Sequence, residues 1–176
     1  MSVPKKKCVF LDRDGVLNED CPDYVYDLKD LVIPAGVPQA LQMLKKAGYL
    51  LIVITNQAGI AKGLYTAENV YIIHEAMQQA SENALDDLYF SPYHPQFSGA
   101  SLSRKPGSLM LEKAIAKYDI DPELSWMIGD RDRDMQAGKN AGVRTIHIVP
   151  DTEKSEGDYA AANLLDAAEI IVKISA

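Results

Sequence analysis

Short apolar runs recur along the chain and each breaks off at polar residues, while the stretches between them carry apolar positions three and four apart. Cys8–Leu11 stops at Asp12, Tyr49–Ile54 at Thr55-Asn56-Gln57, and Leu124–Ile128 at Gly129-Asp130. With Leu88–Phe90 and Val143–Val149 they predict five strands, and Tyr159–Ala162 reads as a short edge strand. The helical spacing predicts helices over Gly36–Ala47 (apolar Val37, Ala40, Leu41 and Leu44, stopped by Gly48), from an N-cap at Thr66 to Ala84, over Pro106–Tyr118 and over Asp134–Asn140, with a last helix capped by Asn163. Two stretches lack periodicity: Asn18 to Asp30, a loop or flap over the strand ends, and Ser91 to Lys105. Strands alternating with helices imply a Rossmann-like three-layer α/β/α sandwich around a mostly parallel, doubly wound sheet. At 176 residues the expectation is a single domain spanning 1–176.

Composition changes this picture little. A net charge of −7 argues against wide contact with nucleic acid or anionic membrane. Cys8 and Cys21 are too few for a disulfide framework. Lys5-Lys6-Lys7 precedes an apolar run far too short for a secretory or membrane segment. The expectation is a cytoplasmic monomer acting on a small molecule, with no nucleic-acid or membrane partner.

The polar residues that end the apolar runs all fall at carboxyl ends of predicted strands, the edge where open α/β sheets bind ligands. Asp12, Asp14 and Asp130, with Asp134 nearby, form a hard-oxygen set suited to Mg²⁺. Thr55, Asn56, Gln57 and Lys105 offer donors for phosphate oxygens. No serine or cysteine has a partnered histidine, whereas an aspartate can attack phosphorus when a cation screens the repulsion. A second carboxylate two positions on could protonate the leaving oxygen, kept protonatable by its negative neighbour.

Asp12-Arg13-Asp14-Gly15-Val16, Thr55-Asn56, Lys105-Pro106 and Gly129-Asp130-Arg131-Asp132-Arg133-Asp134 together resemble the four motifs of the haloacid dehalogenase superfamily of phosphatases. The resemblance implies a nucleophile at Asp12, an acid/base at Asp14 and phosphoryl binders at Thr55 and Lys105. It implies Mg²⁺ ligands at Asp12, Asp14 (through its carbonyl) and Asp130, supported by Asp134. Phe10–Asn18, Thr55–Gly63, His94-Pro95 and Arg104-Lys105-Pro106 are similar to the D-glycero-D-manno-heptose 1,7-bisphosphate 7-phosphatase family. Histidinol-phosphate phosphatases share much of that pattern, and polynucleotide 3′-phosphatases share it more loosely. The resemblance implies a capless, Mg²⁺-dependent enzyme. It would remove the C7 phosphate through an aspartyl-phosphate in nucleotide-heptose and cell-surface polysaccharide precursor synthesis. The alternatives are histidinol-phosphate hydrolysis, or a non-catalytic phosphosugar-binding module, which the intact Asp12 and Asp14 argue against.

Members of that subfamily often carry a zinc loop, whose thiolate and imidazole positions here look like Ser91, Tyr93, Ser101 and Ser103. Hydroxyls are poor zinc ligands, so no zinc is expected, with His94 a hydrogen-bonding loop residue. Arg104 reads as a solvated cation or, through the resemblance, as a substrate-recognition residue, and the second reading is preferred. Arg131 is its reserve, Arg133 is read as charge balance, and Lys62 is left open. Asn18, Asp20 and Tyr24 could hold sugar hydroxyls or simply cap the flap. Trp126 is expected in the core and Cys21 as an idle thiol.

Overall fold

Side chains alternate along β1 (Cys8–Leu11), so that Val9 and Leu11 face one way and Cys8 and Phe10 the other. All four are fully buried, which requires helices on both faces of the strand. The computed structural model describes residues 4–150 and 155–175. Among them β2 (Leu50–Asn56), β3 (Asp87–Ser91), β4 (Trp126–Gly129), β5 (Arg144–Ile148) and β6 (Tyr159–Ala161) join β1 in one sheet of order β3-β2-β1-β4-β5-β6. Every pairing is parallel.

Helices α1 (Gly36–Lys46) and α2 (Ala67–Ala80) cover one face, together with the C-terminal helix of Leu164–Ser175. Leu41, Leu44, Ile73, Met77 and Ile171 pack there against Val9, Leu11, Val53, Trp126 and Ile146. A four-residue turn of helix, α3 (Pro95–Ser98), interrupts the loop after β3. On the opposite face α4 (Leu109–Tyr118) and α5 (Asp132–Asn140) set Met110, Leu111, Ala114 and Ala137 against Phe10, Ile52, Ile54 and Met127. The C-terminal helix is α6. Burying each of the leucine, isoleucine, valine, methionine and phenylalanine side chains stabilises the fold by about 1.5–3 kcal/mol.

The expected layers and strands are present, and the differences lie at element ends. The helix expected from Pro106 begins at Leu109, because the Gly107 N–H bonds the Arg104 carbonyl and makes 104–107 a turn. β4 starts at Trp126 rather than Leu124. Pro122–Leu124 is instead a single 3-10 turn capped by Asp121. α2 stops at Ala80 rather than Ala84, where the Ser81 hydroxyl bonds the Met77 carbonyl. Thr66 caps α2 as expected, with its N–H donated to Asn69, and Trp126 is core.

Strand order reverses between β1 and β4. The crevice at such a switch point opens beyond the strands' carboxyl ends, and there the Asp12 N–H bonds the Ile128 carbonyl at 2.9 Å. Asp12, Thr55 and Asp130 are thereby brought from distant parts of the sequence onto one edge.

Candidate active site

Asp12, Asp14, Thr55, Asn56, Asp130, Arg133 and the flap residue Tyr24 line a cleft of about 250 Å³ over the ends of β1, β2 and β4. A larger hollow of about 520 Å³ lies across the Gly15–Asp20 loop, walled by Val16, Pro34, Val37, Ile148 and Leu164. None of Asp12, Asp14 and Asp130 reaches it, so the smaller cleft holds the chemistry.

Lys105 is the hub. Its ammonium is fully buried and lies 2.8 Å from Asp12 Oδ1 and 2.7 Å from Asp134 Oδ1, and it donates to the Ile54 carbonyl at 2.8 Å. The Ile54 carbonyl accepts its hydrogen bond, and the two carboxylates stand beside it as ionic partners. Burial alone would push the lysine pKa down, but Asp12 and Asp134 outweigh it and hold the value above the usual one. Burial and then Asp134 push the Asp12 carboxyl well above the ordinary range, against the opposing pull of Lys105. Asp12 Oδ1 also accepts the Arg13 N–H at 2.7 Å.

Asp12, Asp130 and Asp134 each offer an oxygen within 4.8 Å of the others. Three hard carboxylate donors at that spacing fit a Mg²⁺ ion. Asp134 is fully buried, holding Lys105 with one oxygen and the Arg131 N–H with the other, which suits a supporting place. Gly15, at φ +85°, lies against Asp130, and a Cβ there would sit 2.4 Å from Asp130 Oδ2.

Asp14 is arranged differently from expectation. Its carboxyl is paired with Arg13. Arg13 Nε and Nη2 reach it at 2.9–3.1 Å, Asn18 Nδ2 at 3.0 Å and Gln57 Nε2 at 3.1 Å. The carboxyl is therefore aimed by donors on several sides. Sequence reasoning passed over Arg13, although an arginine between two strand-end aspartates was a usable signal. Its side chain is buried, and Nη2 also donates to the flap carbonyl of Val25 at 2.8 Å.

The residues expected to reach substrate divide. Asn18 and Gln57 are buried behind Asp14 rather than facing the cleft. The Asn56 amide lines the cleft, but both its ends bond the Lys105 backbone, at 3.0 and 3.1 Å. Arg131 and Asp20 both line the cleft, paired with each other at 2.8 Å, and Arg131 also reaches Asp130 at 3.1 Å. Arg104 is half-buried and donates to the Tyr93 carbonyl at 3.2 Å. Burial, then the nearby Arg133, lower its pKa. Arg133, set aside on sequence grounds, does line the cleft. Lys62 lies between the rings of Tyr24 and Phe97, 5.3 and 5.8 Å from their centroids.

In the 91–105 loop the Ser103 hydroxyl lies 3.0 Å from that of Ser91 and 2.9 Å from that of Ser101. A chain of hydroxyls thus spans the positions where thiolates were considered. His94 Nδ1 accepts from the Gln96 N–H and caps α3.

Comparison with known proteins agrees with this geometry. A HAD-hydrolase-like family model matches residues 102–172. The D-glycero-beta-D-manno-heptose-1,7-bisphosphate 7-phosphatase of Pasteurella multocida is 37% identical over 179 residues, covering 94% of this chain and 97% of its own. The D-glycero-alpha-D-manno-heptose-1,7-bisphosphate 7-phosphatase of Burkholderia mallei is also 37% identical, over 166 residues, covering 90% of this chain and 87% of its own. Among solved structures, the D,D-heptose 1,7-bisphosphate phosphatase of B. bronchiseptica, complexed with magnesium and phosphate, superposes with a TM-score of 0.86. It is 27% identical, covering 96% of this chain and 99% of that one.

Proposed function

The chain belongs to the D-glycero-D-manno-heptose-1,7-bisphosphate 7-phosphatase family of haloacid dehalogenase-like hydrolases, and from that premise we propose that it removes the C7 phosphate of this sugar bisphosphate in nucleotide-heptose synthesis. The observation that carries the reading is Asp12 held against the buried Lys105 at 2.8 Å, with Asp14 two residues on at the same cleft.

Asp12 attacks phosphorus and the bond from phosphorus to the C7 oxygen breaks. Asp14 gives its proton to that oxygen, so the sugar departs as a neutral alcohol. Water then attacks the phospho-aspartate, Asp14 takes the water proton, and inorganic phosphate leaves with Asp12 restored. Lys105 screens the repulsion between nucleophile and phosphate, and the Thr55 hydroxyl donates to a phosphoryl oxygen. Mg²⁺ would be held by Asp12, Asp130 and the Asp14 carbonyl with Asp134 behind, and supplies neutralisation of phosphoryl charge.

The proposal extends to one domain acting as a monomer in the cytoplasm, with a phosphosugar as substrate. Among the described residues no helix is long and apolar enough to cross a membrane. The relatives divide between alpha and beta anomers at equal identity, so overall similarity selects neither.

The test is Mg²⁺-dependent phosphate release from heptose 1,7-bisphosphate (both anomers), from its monophosphates and from histidinol phosphate. The bisphosphate should be the best substrate and Asp12→Asn should abolish turnover. A preference for histidinol phosphate would reassign the substrate, and near-normal activity of Asp12→Asn would end the mechanism.

A further inference from the structure

Gln57 sits two residues beyond Thr55 and is fully buried. Its amide joins three groups. Nε2 donates to Asp14 Oδ2 at 3.1 Å and to Thr55 Oγ1 at 2.8 Å, while Oε1 accepts the Tyr65 hydroxyl at 2.7 Å. Both amide N–H bonds are thus engaged. Thr55 Oγ1 is an acceptor toward Gln57, which leaves its own proton free to point into the cleft.

The sense of that amide is set from behind. Burial pushes the Tyr65 phenol up to about 12, so at neutral pH it remains an O–H donor. As a donor it satisfies the Gln57 carbonyl, with the NH₂ end facing Asp14 and Thr55. Turned the other way, the amide would set a carbonyl against the Asp14 carboxyl. Tyr65 is fixed in turn. A Cβ at Gly59 would lie 2.1 Å from its ring, so only glycine lets the ring approach. Tyr26 stacks on the ring at 5.1 Å and Tyr24 meets it edge-on at 5.9 Å. The flap therefore touches the acid/base through Tyr65 and Gln57, and independently through the Val25–Arg13 contact.

We infer that Tyr65 and Gln57 form a buried positioning relay, which aims the Asp14 proton at the leaving oxygen and the Thr55 hydroxyl at the phosphoryl group. The inference rests on Asp14 being the acid/base. A sugar alkoxide is a poor leaving group and needs that proton as the bond breaks, whereas 4-nitrophenolate leaves with little assistance. A relay that aims the proton matters more for the sugar phosphate than for the aryl phosphate. A residue that only supports the fold affects both alike.

The experiment measures kcat/KM on heptose 1,7-bisphosphate and on 4-nitrophenyl phosphate for the unmodified enzyme, Tyr65→Phe, Gln57→Leu and Asp14→Asn, with thermal unfolding alongside. Tyr65→Phe keeps the ring and removes one hydrogen bond. The sugar-to-aryl ratio of kcat/KM should fall about three- to tenfold, and further in Gln57→Leu. If Asp14→Asn leaves the ratio unchanged, the acid/base reading is wrong and the relay falls with it. If Asp14→Asn lowers the ratio while folded Tyr65→Phe weakens both substrates equally, or neither, the relay alone is wrong. Should Gln57→Leu fail to fold, Tyr65→Phe decides.

Discussion

Replacing Lys105 by methionine isolates the balance of charge at the centre of the site. Methionine fills nearly the same volume, so packing is roughly kept while the charge is lost. Lys105 and Asp134 are fully buried and Asp12 is nearly so, and the ammonium is within 2.8 Å of both carboxylates. Taking one partner from a buried ionic group leaves uncompensated charge and costs about 3–5 kcal/mol. Against a typical total of about 5–15 kcal/mol, that is a fall of roughly 10 °C in Tm for a chain of this length. Metal-free protein in chelator is the material to use, so that no cation replaces the lysine. The pH dependence carries a sign. Burial and Asp134 already raise the Asp12 carboxyl, and loss of the lysine raises it further. A carboxyl with a folded pKa above its unfolded one contributes stability that is full below the unfolded pKa and is lost as pH rises through the folded value. The deficit of Lys105→Met relative to the unmodified protein should therefore be greater at about pH 8 than at about pH 5. Adding Asp134→Asn should restore at least about 1.5 kcal/mol by removing one stranded charge, while turnover stays absent. Denaturant unfolding at the two pH values is the assay. A deficit under about 1 kcal/mol, or one that does not change with pH, would refute the account of Lys105 as the counter-charge.

Gly15→Ala introduces a methyl 2.4 Å from Asp130 Oδ2 at a φ of +85°; a Mg²⁺ titration of activity should show apparent affinity weaker by about tenfold or more, and an unchanged titration would detach Asp130 from the metal. Arg104→Ala should lower kcat/KM on the bisphosphate by about ten- to a hundredfold, through KM, and erase its preference over the 7-monophosphate. An equal fall on both substrates would place Arg104 at the reacting phosphate or in the scaffold, and Arg133→Ala, which alters a cleft-lining cation, is the comparison to run beside it. Elemental analysis of protein purified without added metal should give substoichiometric zinc, since the hydroxyls of Ser91, Ser101 and Ser103 bond one another; stoichiometric zinc lost in His94→Ala would overturn that view of the loop.

Apolar periodicity alone placed the strands and most helices, because a strand covered on both faces must be apolar throughout and a helix on a sheet must present a stripe. The abrupt ends of those runs also put Asp12, Thr55 and Asp130 at one edge of the sheet, since parallel strands all finish on the same side. Which way each polar side chain turns was not legible. Gln57 and Asn18 resemble ligand-binding amides in a loop, yet both turn inward because Asp14 and, for Gln57, Thr55 and Tyr65 meet them there. Sequence ranked Arg131 above Arg133 as a substrate contact, yet both line the cleft, and it is Arg131 whose guanidinium is bound by Asp20, 111 positions away. Lys105 acquires its role from Asp12, Asp134 and the Ile54 carbonyl, three separate segments of chain. Periodicity is a property of neighbours along the chain and survives in the sequence. The partner of a buried charge or amide is chosen by desolvation among groups brought together from distant segments, so only the folded structure decides it.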